Sequence, residues 1–114
     1  MVQRGKGLSF RALRTVTGVS VKLYNRILQR IIGKHNELAG CEHMIVETVE
    51  DPDFIVEGHK RELLAIRHYD KTPVGSKDMV VVYREDKGLV ITAFLTSKAH
   101  RITEKRRIVW QKVR

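Results

Sequence analysis

Apolar and polar residues alternate over Val19-Ser20-Val21-Lys22-Leu23, the period of a half-buried strand. From Leu23 the period lengthens. Leu23, Ile27 and Ile31 recur every four residues with Tyr24, Leu28 and Ile32 alongside, while Arg26, Gln29 and Arg30 fall on the other side. That pattern predicts an amphipathic helix over 23–33, ended by Gly33. The alternation before it leaves a strand there open. Lys34 to Leu38 reads as a loop followed by Ala39-Gly40. A second helix fits 41–50, with Met44, Ile45 and Val49 on one face and Glu42, Glu47 and Glu50 solvated. Asp51-Pro52-Asp53 stops it, because proline disfavours helical backbone at the residue before it.

The second half of the chain reads as sheet. Phe54-Ile55-Val56 is a short strand, Glu57 to Lys60 a turn, and 63–69 a further strand. A loop with Pro73 and Gly75 leads to Met79-Val80-Val81-Val82-Tyr83, apolar on both sides and β-branched as a central strand should be. Glu85 to Gly88 turns the chain into its hairpin partner, 89–96. After Thr103, Ile108, Trp110 and Lys112 alternate, and either strand or helix fits. Residues 1–14, with Gly5 and Gly7, read as a poorly packed basic arm. The expected division is an arm over 1–20 and one domain over 21–114. The expected fold is α+β, with two N-terminal helices packed on an antiparallel sheet of about four strands.

Charge adds the first functional clue. The 114 residues carry 22 Lys+Arg against 13 Asp+Glu, a net +9. Residues 1–34 hold eight basic residues and no acid, 35–86 are net −6, and 87–114 are net +7. If the two ends adjoin, they form one positive face with the acidic middle behind. Such a face attracts polyanions, since each neutralised phosphate releases condensed counterions. Nucleic acid is the expected partner on charge alone. No apolar run approaches the roughly 20 residues of a membrane span. No secretory signal is expected either, because no unbroken apolar stretch of roughly 7–15 residues opens the chain. The single cysteine, Cys41, has no internal disulfide partner, which fits a reducing cytoplasm.

The chemistry is narrowed by what is missing. His35, His43, His59, His68 and His100 include no pair at metal-binding helical spacing, and no cysteine pair supports one. Phosphate-cradling glycine loops and the GxSxG elbow are absent. Asp51 and Asp53 flank a proline and read as turn chemistry. What remains is His, Arg, Lys and Thr on elements that would line a sheet. Those groups suffice for RNA cleavage without metal or cofactor. A general base takes the 2′-hydroxyl proton, a general acid protonates the leaving oxygen, and cations hold the phosphorane.

Several ordered segments then carry a resemblance. They are Lys34-His35-Asn36-Glu37-Leu38, Ile45 to Asp53, Leu64-Ala65-Ile66-Arg67-His68-Tyr69, Val80-Val81-Val82-Tyr83, and Val90 to Thr96. Together, over about residues 24–112, the chain resembles a phage-associated nuclease family of the barnase–EndoU–colicin–RelE-like superfamily. The family usually reads His-Pro-Glu where this chain has His35-Asn36-Glu37. The resemblance implies a metal-independent, toxin-like endoribonuclease, with an acidic antitoxin or immunity protein as a second partner. It implies His35, Arg67, Thr92, Thr96 and Lys98 as the catalytic group. Tyr69, Arg26, Arg30, Lys34, Arg101, Lys105, Arg106 and Arg107 are the expected substrate-binding residues. Two other readings use the same surface: a non-catalytic RNA- or DNA-binding module, and a RelE-like toxin acting on a protein.

Overall fold

The run Met79 to Tyr83 is fully or nearly fully buried, and the rest of the fold is assembled on it. The computed structural model describes residues 9–113. In chain order its elements are β1 (Phe10–Arg14), β2 (Ser20–Tyr24), α1 (Asn25–Lys34), a 3-10 turn (Asn36–Leu38), α2 (Glu42–Glu50) and β3 (Phe54–Glu57). There follow β4 (Leu63–Tyr69), β5 (Lys77–Arg84), β6 (Leu89–Thr96), α3 (Ala99–Lys105) and β7 (Ile108–Gln111). All seven strands join one sheet in the order β1-β2-β6-β5-β4-β3-β7. Every neighbouring pair is antiparallel except β2 and β6, which run parallel and meet at Lys22 and Leu89 alone.

Alternation along β5 divides the core into two. Met79, Val81 and Tyr83 face α1 and α2 and pack with Leu13, Val21, Leu23, Ile31, Ile45 and Val49. Val80 and Val82 face the other way, with Val56, Leu64, Ile66 and Phe94, beneath Ala99 and Ile102 of α3. The β5–β6 register shifts between Val82 and Tyr83, whose partners are Thr92 and Val90. This bulge gives Ile91 no partner opposite and keeps Val90 on the helix side.

The expectation of two N-terminal helices on about four antiparallel strands is overturned. The α+β class stands, but the described residues hold three helices and a mixed sheet of seven strands, and strands open the fold. The misses have physical causes. In β1 only Leu13 is buried, so an edge strand leaves almost no alternation to read. Its turn is held by Gly18 at φ +87° and by Thr15 Oγ1, which donates to Glu85 at 2.7 Å. The helix expected from Leu23 begins at Asn25, because Leu23 stays in the strand and reaches the core. α3 is seven residues long and turns only Ala99 and Ile102 to the sheet, too little to show a helical period.

The arm expected over 1–20 is sheet from Phe10, and the remainder of that arm, before Ser9, lies outside the described residues. β1 and β7 occupy opposite edges of the sheet, while the two basic stretches, 1–34 and 87–114, meet inside it where β2 and α1 lie against β6.

The Tyr83 ring is wholly buried, and its hydroxyl has no hydrogen-bond partner among the described residues. Burial pushes its ionisation far above the ordinary phenol value. A buried hydroxyl left unmet costs about 1–3 kcal/mol, and phenylalanine keeps the ring while removing it. Tyr83→Phe should therefore raise unfolding stability by about 1 kcal/mol in urea titrations. A loss of similar size would show that the hydroxyl is in fact bonded.

Candidate nucleic-acid interface

Arg67 and Tyr69 lie on the helix side of β4, where the register sets Arg67 opposite Met79. The Arg67 guanidinium donates to Asp51 Oδ2 at 3.0 Å and to the Asp51 carbonyl at 2.6 Å, and stands 3.5 Å from Glu47 Oε2. It also covers the Tyr69 ring at 5.5 Å. Lys112 Nζ reaches the other Asp51 oxygen at 2.8 Å. The Lys112 bond, and after it the charges of Lys112 and Arg67, hold the Asp51 carboxyl below its usual value against the opposing effect of desolvation. The Tyr69 hydroxyl sits 2.9 Å from Glu47 Oε1 and 3.1 Å from the Met44 carbonyl, and burial pushes its pKa up to about 12. These two residues tie β4 to α2. The Arg67 guanidinium is engaged by Asp51 and Glu47, and the Tyr69 hydroxyl by Glu47 and the Met44 carbonyl, with the guanidinium over its ring.

Thr92 and Thr96 point to the opposite face of the sheet, opposite Val82 and Asp78. Thr96 Oγ1 accepts the Lys98 N–H at 3.0 Å and shapes the entry to α3. Lys98 is exposed just before that helix. The sheet therefore stands between Arg67 and the two threonines, and the five expected catalytic residues do not converge.

A smaller group does converge. Arg30 and Lys34 of α1, with Ile31, line a recess of about 240 Å³ whose other wall is Ile91 and Thr92 of β6. His35 follows α1 directly, its N–H donating to the Ile31 carbonyl at 2.8 Å. Its ring centre is 6.4 Å from that of Phe94, two residues from Thr92, and Nδ1 is 3.9 Å from Glu37. Arg26 lies two turns before Lys34 on the same helix, over the Tyr24 ring at 5.9 Å.

A second basic concavity, of about 450 Å³, is lined by Arg101, Ile102 and Lys105 of α3 and by Arg106 just after it. Arg106 also contacts His59 Nε2 at 3.1 Å. Arg107 is separate, paired to Glu57 at 2.8 Å. Several acids of the middle stretch pair locally: Glu42 with Arg11, Glu47 and Asp51 with Arg67, and Asp86 with Arg84. Among the described residues, Arg30, Lys34, Arg101 and Lys105 take part in no ion pair.

Sequence reasoning passed over His68. Its Nδ1 lies 2.9 Å from Asp78 Oδ1, the residue opposite it on β5, and Nε2 lies 3.1 Å from Asp70 and 3.3 Å from Ser76 Oγ. With His100 and Thr103 of α3, His68 and Asp78 border a recess of about 240 Å³. A hairpin centred on Pro73 sets 68 opposite 78, so the pairing was available from the turn. Cys41 is buried, which pushes its thiol up and makes it a poor nucleophile.

Two outcomes follow. The hydrogen bond to Asp78, above all, raises the His68 pKa above 6.5. A raised folded-state value gives a contribution that is complete below the unfolded pKa and is lost as pH rises through the folded one. NMR titration should place His68 above 6.5, and stability should decline above that pH in the native chain but not in His68→Gln. Arg67→Leu should cost about 1–3 kcal/mol, between the values for exposed and buried pairs. Denaturation at unchanged stability would release Arg67 for another role.

A scan against protein-family models finds no match, and neither the curated proteins nor the solved structures searched include one similar to this chain.

Proposed function

We propose that this protein binds RNA and cleaves it without a metal at the recess between α1 and β6. The observation that carries the reading is the meeting of Arg30, Lys34 and Thr92 around one concavity, with His35 at the end of the same helix. Two cations without acidic partners suit a phosphodiester and the further charge it gains in a phosphorane. His35 takes the 2′-hydroxyl proton. The O2′–P bond forms as the P–O5′ bond breaks, leaving a 2′,3′-cyclic phosphate and a 5′-hydroxyl that takes its proton from solvent. The α3 groove of Arg101, Lys105 and Arg106 supplies further phosphate contacts.

Binding without cleavage is the second reading. It is favoured by the position of Arg67 and Thr96 away from His35, which leaves one imidazole at the recess.

Incubation of the purified protein with single-stranded RNA in EDTA tests both. Cleavage should persist in EDTA and yield cyclic-phosphate ends. His35→Ala should lower the rate by roughly 10²–10⁴-fold, the usual worth of a proton-transfer group, while binding is kept. Arg30→Ala should weaken binding and lower the salt slope by about 0.7 for one phosphate contact. Salt-sensitive binding with no cleavage at any protein concentration would select the second reading. Neither binding nor cleavage would end both.

A further inference from the structure

The side of the β1–β2 hairpin turned away from the helices is not covered by α3. The cluster beneath α3 draws its residues from β3, β4, β5 and β6, and none from β1 or β2. Leu13, Val21 and Leu23 take the inner positions, so alternation sends Phe10, Ala12, Arg14, Ser20, Lys22 and Tyr24 outward. Phe10 and Tyr24 are direct cross-strand partners, with ring centres 5.6 Å apart and planes at 61°. Phe10 is 49% exposed, unusual for a phenylalanine in a sheet. Lys22 Nζ lies 4.9 Å from the Phe10 ring centre, and Arg26 5.9 Å from that of Tyr24.

We propose that Phe10 and Tyr24 form a stacking platform for the bases of single-stranded RNA, with Lys22 and Arg26 holding the adjoining phosphates. The inference rests on the RNA-binding reading and adds the strand state that is recognised. Charge complementarity selects the occupant. Two aromatic rings bordered by cations, with no acid among the outward residues of the hairpin, fit stacked bases on a polyanion. An aliphatic protein partner has no use for the cations. Lys22 does not block the site. An exposed cation–π contact is worth about 0.5–1 kcal/mol, whereas stacking a base on an aromatic side chain yields about 1–3 kcal/mol. A base therefore displaces the ammonium, which is left beside the backbone of the same strand. Arg26, Arg30 and Lys34 recur every four residues along α1 and continue the positive track from the rings to the α1–β6 recess.

The test compares fluorescence-labelled single-stranded oligoadenylate and an RNA duplex by anisotropy across a salt series. Phe10→Ala should weaken single-strand binding by roughly 5- to 150-fold, the equivalent of one lost stack. Its salt slope and duplex binding should not change. Phe10→Trp should restore affinity, and Lys22→Ala should instead lower the salt slope by about 0.7. Phe10 is half exposed, so the fold should survive, and the tryptophan variant guards against the case in which alanine disturbs the strand.

Single-strand affinity unaltered by Phe10→Ala, in a wild-type protein that binds RNA, would overturn the platform and leave the RNA reading standing. An equal loss on duplex and single strand would also overturn it, by showing a general effect on the surface. A shift from dimer to monomer in sedimentation, with RNA binding unchanged, would assign the rings to a second copy of this chain. Wild-type protein that binds no RNA would remove both proposals together.

Discussion

The arrangement turns on how little β2 and β6 share. β6 is paired with β5 through most of its length but with β2 at one position, where Lys22 N–H donates to the Gly88 carbonyl at 2.8 Å. The chain passes from β2 at Tyr24 into α1 at Asn25 with no loop between them. Helix α1 therefore starts at the end of β2 and packs against β6. A full β2–β6 ladder would leave Thr92 beside a strand. With one pair, Thr92 lies beside Arg30 and Lys34, and a helix C-terminus brings His35 against Phe94. Gly88, at φ +67°, permits the tight turn that delivers its carbonyl to Lys22.

The two helices on this side of the sheet handle charge in opposite ways. On α2, Glu42 and Glu47 meet Arg11 and Arg67, and Glu50 accepts the Arg14 backbone N–H at 3.0 Å. Its acids are used to fasten α2 to β1 and β4. α1 holds no acid, and its Arg26, Arg30 and Lys34 stand one turn apart. Like charges at that spacing cost a helix about 0.2–0.5 kcal/mol each. Arg26 offsets part of that cost over the Tyr24 ring and Lys34 part of it at the helix C-terminus. A polyanion along the helix would offset more, which is why the proposed reading sets RNA on α1 and not on α2.

The sequence disclosed the interior far better than the edges. Strands over 63–69, 79–83 and 89–96 were legible because β4, β5 and β6 are central, burying three, five and two residues respectively. β1 and α3 were not, since each gives only one or two residues to the core, and β7, which buries none, was left open between strand and helix. The site was legible in part for the same reason. Arg30, Lys34 and Thr92, all named before the structure, line one recess, and His35 directly follows the helix that carries the first two. Arg67 was placed with them by the resemblance, and spacing along a strand does not say which layer lies above it. One residue of register decides that face, and it set Arg67 against Glu47 and Asp51 and His68 against Asp78. Phe10 was hidden by the missing strand, although a hairpin centred on Thr17 would have paired it with Tyr24.

A recess with one imidazole sets a demand on the rest of the surface. A single proton-transfer group contributes roughly 10²–10⁴-fold, a small part of what phosphodiester cleavage requires. Most of the remainder has to come from positioning, where holding reacting groups in register can contribute about 7–11 kcal/mol. On the reading proposed above, that work falls to α1. Tyr24 and Lys34 are separated by ten residues, or about 15 Å of helix rise, and no flexible linker intervenes. A base held at the hairpin is then a fixed distance from the phosphate at His35. The stacking rings would decide which phosphate is presented, and the recess would act on whichever one the strand's own length brings there.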